Sequence, residues 1–240
     1  LRPVTGAPVV YEPADQKINA FGFNGVGRMI FNKFEGQLHT GKMMLALLHK
    51  VYQTGTLVLN SCAVQAIRQE GAHISIDSNQ GFFKAHKVIL ATNAFARQLF
   101  PQLQVAPGRG QVLVTRPVPG LKVKGTYHFN QGYYYFRNID GRILFGGGRN
   151  IDIKAEETFE FGCTTAVQQQ LAHYLRQVIL PGQPVEIAYR WSGIMGFGDE
   201  VSPIIKEVEP GIFCAVRCNG MGVAMGSLVG EEVAMLAMKR

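Results

Sequence analysis

The sequence has no apolar run long enough to cross a bilayer. Its longest runs, such as residues 212–216, stop after a handful of positions, where a spanning helix needs about 20. No charged segment followed by an apolar stretch opens the chain, so secretion is not expected. Cysteine is scarce: Cys62, Cys163, Cys214 and Cys218 are the only four. Cys214 and Cys218 do not have the C-x-x-C spacing, and no second pair completes a zinc site. Reduced, mostly buried thiols in a cytoplasmic protein are expected, with no metal. Basic residues outnumber acidic ones, 24 to 17, for a net charge of +7, yet nowhere do three stand together. Such a charge could meet nucleic acid, a phosphate-bearing cofactor or an acidic substrate; with the basic residues scattered and no zinc-finger or RNA-binding motif, nucleic acid is not expected as a partner. There is no H-E-x-x-H, no Ser-His-Asp order and no paired-carboxylate motif. His39, His128 and His173 are isolated and read as surface or packing residues. Also missing is an apolar strand running into G-x-G-x-x-G near the start. The stretch FGFNGVG, residues 21–27, has glycines but no such strand before it, and reads as a loop.

What remains is ordinary globular material: 240 residues, 47% hydrophobic, enough to bury a substantial core. Residues 40–53 carry Met44, Leu47, Leu48 and Val51 at helical spacing, with Thr40 as N-cap and Gly55 as terminator. Residues 56–59, TLVL, read as a strand. Residues 63–69, 73–77 and 82–84 read as an antiparallel meander. KVILA, residues 87–91, is a continuous apolar run, as in a strand covered on both faces. A short helix over 94–99 precedes Pro101. From Val105 onward, QVLVTRPV, GYYYFRN and RILFGGG suggest a second, antiparallel sheet. Residues 159–178 read as a long amphipathic helix, with Val167, Leu171, Tyr174, Leu175 and Val178 on one face. A strand over 185–191 and a hairpin of 204–208 with 212–216 follow. CNGMGVAMG, residues 218–226, then has four glycines in nine positions, and LVGEEVAMLAMK reads as a terminal helix.

Three stretches together resemble the flavin-dependent amine oxidoreductases of the D-amino-acid oxidase group, relatives of glycine oxidase and sarcosine oxidase. They are GQLHTGKMMLALLHKV…GTLVLNSCAVQAI over 36–67, KVILATNAFARQLF over 87–100 with PGRGQVLVTRP over 107–117, and RWSGIMGFGDEVSPIIKEVEPGIFCAVRCNGMGVAMGSLVGEEVAMLA over 190–237. The resemblance covers roughly residues 20–240. It implies a mixed α/β (α+β) fold: a partial FAD-binding domain over 1–106, an antiparallel-sheet substrate domain over 107–200, and a return to the FAD-binding domain over 201–240. In that family the dinucleotide fingerprint lies before the part matched here. The chain therefore looks like a C-terminal portion of a longer enzyme.

The resemblance also implies a site. The loop Cys218, Asn219, Gly220, Met221, Gly222, Val223 would run into the final helix with its N-terminus aimed at the pyrimidine end of the flavin. Reduction places negative charge there, which the helix dipole and free amides would stabilise. Glycines at 220, 222 and 226 would permit close approach. The alternative is a tight strand-to-helix turn with close packing. Val64 would offer backbone hydrogen bonds to the adenine. Ala91-Thr92-Asn93 matches a small-small-glycine turn beside the cofactor, with Asn93 in place of the usual glycine. Of the consecutive Tyr133, Tyr134 and Tyr135, alternation sends at least one toward the substrate cavity, and Tyr134 is selected. Where the glycine-oxidase branch has an arginine to grip the substrate carboxylate, this chain has Met195. Arg149, Arg190 or Arg217 could substitute, and Arg217, just before the loop, is the candidate. The implied activity is oxidation of an amine or amino-acid-like substrate with FAD as cofactor. Two other readings stay open: a fragment that binds a small ligand or partner without FAD, and a basic nucleic-acid binder. A homo-oligomer also stays open.

Overall fold

The computed structural model describes residues 5–239. In chain order its elements are β1 (Tyr11–Pro13), α1 (Gln16–Phe21), β2 (Ile30–Asn32), α2 (Thr40–Gln53), β3 (Val64–Glu70), β4 (His73–Ser78), β5 (Gly81–Ala85), β6 (Val88–Leu90) and α3 (Ala96–Leu99). Then come β7 (Ala106–Thr115), β8 (Thr126–Phe129), β9 (Tyr134–Ile139), β10 (Arg142–Gly147), α4 (Thr165–Tyr174), β11 (Ile187–Phe197), β12 (Ile204–Glu209), β13 (Ile212–Val216) and α5 (Gly222–Met238). The mixed α/β class agrees with expectation. The chain forms two compact units.

The first unit gathers the described residues up to His39 with Gly110–Glu156 and Phe161–Gly193. Residues 5–39 thus cluster with the antiparallel sheet, not with the segment 40–106 beside which the sequence placed them. The strand order is β11-β7-β10-β9-β8. Alternation along β9 and β10 builds its core: Tyr134, Phe136, Ile143 and Phe145 point inward at no more than 6% exposure. α4 covers that face with Val167, Leu171 and Leu175. Truncating one such phenylalanine to alanine would cost about 3–5 kcal/mol. The helix starts at Thr165, not at 159, because Gly162 holds φ at +121° and the chain cannot yet be helical. Its last turn, Leu175–Ile179, widens into a π-helix.

The second unit joins Thr40–Arg109, Glu157–Glu160 and Ile194–Arg240. Its central sheet runs β12-β13-β6. β13 is antiparallel to β12 and parallel to β6, with Ile212 opposite Val88, Phe213 opposite Ile89 and Cys214 opposite Leu90. Every residue of β13 is buried, because both faces are covered. α5 lays Val229, Val233 and Ala237 over Phe213 and Ala215. On the other face Leu90, Ile212, Cys214 and Val216 meet Ala94, Phe100, Leu103 and Ile74. β3, β4 and β5 form a separate meander. Residues 56–59 are not a strand: no neighbouring strand pairs with them among the described residues, and Leu57 is 79% exposed. Only one of the cysteines, Cys214, is buried; Cys163 is exposed, against the expectation of mostly buried thiols.

Candidate functional site

In the second unit the chain leaves the buried β13 and must reverse before α5. It does so through Arg217 (φ +67°), Asn219 (φ +48°) and Gly220 (φ +82°). Left-handed backbone is unfavourable for residues with a Cβ, so something must hold it. Asn93, itself left-handed at φ +49°, accepts a hydrogen bond from the Arg217 backbone N–H at 3.1 Å through Oδ1. Asn219 donates its backbone N–H to Gly196 O at 3.0 Å. Its side chain accepts from the Gly198 N–H at 3.1 Å and donates to Glu200 O and Val201 O at 2.9 and 3.1 Å. The Arg217 side chain donates to Glu200 Oε2 at 2.7 Å, to Ser202 O and to Gln104 O. A Cβ at Gly196 would meet Asn93 Oδ1 at 2.5 Å, and one at Gly198 would meet Arg217 Cδ at 2.5 Å. Asn93 at the usual glycine position is therefore a staple as well as a turn former.

Arg217, selected from sequence as the compensating cation, does not fill that role. It is 4% exposed and its guanidinium is committed to the 200–202 segment and to Gln104. It fixes the loop. Met195 is half-buried near the end of β11.

α5 begins at Gly222, earlier than the sequence suggested, so Gly222 and Gly226 are helical. Gly222, Gly226, Val229, Val233 and Ala237 follow one another at spacings of four and three, on one face. The last three pack on the sheet. The first two do not: a Cβ at Gly226 would meet nothing within 4 Å, and one at Gly222 only Cys218, no nearer than 3.7 Å. Nothing meets a Cβ at Gly220 either, though its φ requires glycine. Among the described residues, none packs closely against these glycines; Cys218 beside Gly222 is at ordinary contact distance. No side chain caps the helix; Met221 N–H goes to Cys218 O, and Ala224 N–H to Met221 O. Met221 and Val223 are exposed, at 57% and 54%. Ala91 and Thr92 lead into Asn93 and are exposed, and Val64 opens β3 at 40% exposure. The unit thus brings Asn93, Arg217, Asn219 and the 218–223 loop together; among the described residues no hydrogen bond ties Val64 to them.

In the first unit the tyrosines separate. Tyr134, selected as the substrate tyrosine, is 2% exposed. Its ring stacks on Phe129 at 5.1 Å and meets Tyr174 edge-on at 5.0 Å. Burial first, then the nearby Tyr174, raises its pKa. It is a core residue. Tyr135 points to the opposite face and is 38% exposed. Its ring lies over Gly146, where a Cβ would come within 2.7 Å of it. Burial of the phenol raises its pKa further above neutral pH. Sequence alternation carried this signal, because Tyr134 and Phe136 share the parity that faces Ile143 and Phe145. Tyr133 accepts the Gly148 N–H through its carbonyl at 2.9 Å. Arg149 begins the 3₁₀ turn after Gly148.

Sequence reading missed a buried polar network in this unit. Gln111 donates to both oxygens of Glu156, at 2.9 and 3.0 Å, and accepts the Thr164 N–H at 2.9 Å. Gln168 donates to Gln111 at 3.3 Å and accepts from Arg190. Arg190, another of the three candidate cations, is held there beside an open groove of about 440 Å³ lined by Thr164, Gln168 and Arg176.

The chain belongs to the FAD dependent oxidoreductase family, whose pattern matches residues 7–236. Among curated relatives it is similar to glycine oxidase of Geobacillus kaustophilus, 25% identical over 213 residues, covering 86% of this chain and 55% of that one. It is also similar to the probable oxidoreductase OrdL of Rhizobium meliloti, 23% identical over 211 residues, with 85% and 47% covered. The chain thus spans about half the length of these relatives. Among solved structures, glycine oxidase from Geobacillus kaustophilus has a TM-score of 0.82 at 21% identity, covering 100% of this chain and 65% of that one. L-proline dehydrogenase from P. horikoshii gives 0.78 at 20% identity, with 97% and 65% covered. These structures share the fold.

Proposed function

We propose that this chain is the substrate-binding and flavin-facing portion of an FAD-dependent oxidoreductase acting on an amine or amino-acid-like substrate. The bare glycine face at the start of α5 carries the reading. Glycine inside a helix costs about 0.5–1 kcal/mol relative to alanine, and no atom of the chain near Gly226 accounts for that cost. A flat ring passing beneath the first turn does. Side chains there would hold it away, and the uncapped amides would meet the end of the ring that gains charge. The fit is therefore good. When bound, FAD supplies the two-electron acceptor for a hydride leaving the carbon next to the amine.

The chain's own residues would position the reactants. Asn93, Asn219 and Arg217 hold the loop rigid. Ala91, Thr92 and Val64 are the neighbouring backbone available to the rest of the cofactor. Tyr135, a neutral phenol on the partly exposed face of β9, is the donor assigned to a substrate carboxylate, with Tyr133 and Arg149 as the other candidates in the same unit. Met195 offers an apolar contact, which favours a substrate with a side chain beyond a bare amino acid. The first unit is the substrate domain and the second the cofactor domain. Free cysteines fit a reducing compartment such as the cytoplasm, and no helix of the described residues is long and apolar enough to cross a membrane. The partner is a small molecule.

The test is the visible spectrum of the purified chain before and after adding FAD and desalting. A retained flavin band, bleached by an amine under anaerobic conditions, supports the reading. No retained flavin favours the second reading, a fragment that binds a ligand or partner without FAD.

A further inference from the structure

We infer that the first unit carries a second small-molecule site: the groove beside α4 and Arg190 takes a small dianion, either a phosphate monoester or a dicarboxylate. The Arg176 and Arg190 guanidiniums hold its two negative charges. This site is separate from the substrate assignment and stands whether or not the chain holds flavin. α4 covers the sheet face of Tyr134 and Phe136, whereas Tyr135 points to the opposite face.

At about 440 Å³ the groove has the size of a ligand site. Thr164, Thr165, Gln168, Arg176 and Arg190 line it, and no carboxylate does. Among the described residues the Arg176 guanidinium has neither an ion pair nor a hydrogen bond. The Arg190 guanidinium has one hydrogen bond, to Gln168, and no ion pair. Two guanidiniums without a counter-charge in one groove match a ligand that brings two negative charges. A planar fork grips carboxylate or phosphate through two parallel N–H bonds.

Arg190 is aimed from behind by a buried chain of polar groups. Glu156, 2% exposed, needs donors, and the Gln111 amide serves both of its oxygens. The Gln111 carbonyl oxygen accepts the Gln168 amide at 3.3 Å. Gln168, 7% exposed, is left with its own carbonyl oxygen toward Arg190. Turning that amide over would set oxygen against oxygen at Gln111 and N–H against N–H at Arg190. One guanidinium is thus fixed at the groove with its remaining N–H groups unbonded. The Glu156 charge does not oppose an anion there, because it lies behind Gln111 and outside the lining. The Thr164 hydroxyl donates to Glu156 at 3.2 Å, so no side chain caps α4, and the open first turn adds to the same positive field.

The test titrates inorganic phosphate and succinate into the flavin-free 240-residue chain by calorimetry at low salt. The expected result is one anion bound per chain for at least one of the two. A preference for phosphate assigns the monoester, and a preference for succinate the dicarboxylate. Arg176→Gln and Arg190→Gln should each weaken binding at least tenfold. Arg190→Lys should do the same, because it keeps the charge and loses the fork. Saturating anion should slow alkylation of Cys163, which also lines the groove, by uncharged iodoacetamide at least fivefold. The Arg176 side chain is exposed and unbonded, so Arg176→Gln should melt like the parent and stays a fair test where an Arg190 variant disturbs Gln168. The proposal is overturned if neither anion binds, if Arg176→Gln or Arg190→Lys binds as tightly as the parent, or if Cys163 is not protected. Displacement of the anion by excess FAD would also sink it, since the anion would then occupy the cofactor site.

Discussion

Replacing Gly226 by alanine separates the two explanations for the glycines of α5. Gly226 is helical and exposed, and its added methyl would meet nothing within 4 Å. In the chain by itself the change can only help. The backbone loses less entropy on folding, worth about 0.5–1 kcal/mol. For a chain of this length that raises the melting temperature by about 1–4 °C. Gly222→Ala adds less, since it stands at the helix start, and its methyl comes no nearer than 3.7 Å to Cys218. Against a ring lying on that face, each methyl takes up space the ring needs. An affinity loss of tenfold or more, about 1.4 kcal/mol, is expected. Thermal melts read the first effect, and quenching of FAD fluorescence on titration, done on whichever form of the protein retains flavin, reads the second. The signs must be opposite. Variants that melt higher and hold FAD as tightly as the parent would refute the assignment of this face to the cofactor.

Other expectations follow from the same contacts. Asn93→Gly keeps the left-handed backbone and loses one hydrogen bond, costing about 1 kcal/mol; Asn93→Ala loses both and costs about 2–3 kcal/mol in urea melts. An equal cost for both would show that the backbone angle is unimportant. Gly196→Ala drives a methyl to 2.5 Å from Asn93 Oδ1, so it should destabilise by more than about 2 kcal/mol and release flavin; a silent result would mean the loop is not built as described. Tyr135→Phe should lower turnover at least tenfold with little change in melting temperature, while Tyr134→Phe should leave turnover within twofold; the reverse order would return the role to Tyr134. Burial pushes the Tyr127 phenol up to about 12 from its usual 10. Its contribution is therefore present below pH 10, where neither state is ionised, and is lost as pH rises through 10 to 12, because the unfolded state gives up the proton first. Tyr127→Phe should flatten that alkaline decline; an unchanged pH profile would count against the burial effect.

Much of the fold was legible because periodicity reports burial. The alternation in β9 and β10, the meander of β3 to β5 and the unbroken apolar run of β13 each matched their elements. What escaped were features fixed by contacts distant in sequence. Residues 56–59 have strand composition but no partner, and pairing decides strands. Tyr134 and Tyr135 are the same residue type side by side, so only the parity set by Ile143 and Phe145 tells them apart. Arg217 stands next to the glycine loop, where a free cation was expected. Its attachment to Gln104, Glu200 and Ser202 spans up to 113 positions, and no local pattern announces that. The start of α5 shifted because glycine was read as loop, when at Gly222 and Gly226 it is a helical residue left small.

The staple between Asn93, Asn219 and Arg217 has a thermodynamic consequence. The loop is hung from β13, the most completely buried strand of its unit, and its left-handed turns are locked by side chains of the protein. A ligand arriving at the start of α5 has little backbone left to order. Its binding entropy should carry almost no folding penalty, and the heat-capacity change on binding should match the apolar area the ligand covers.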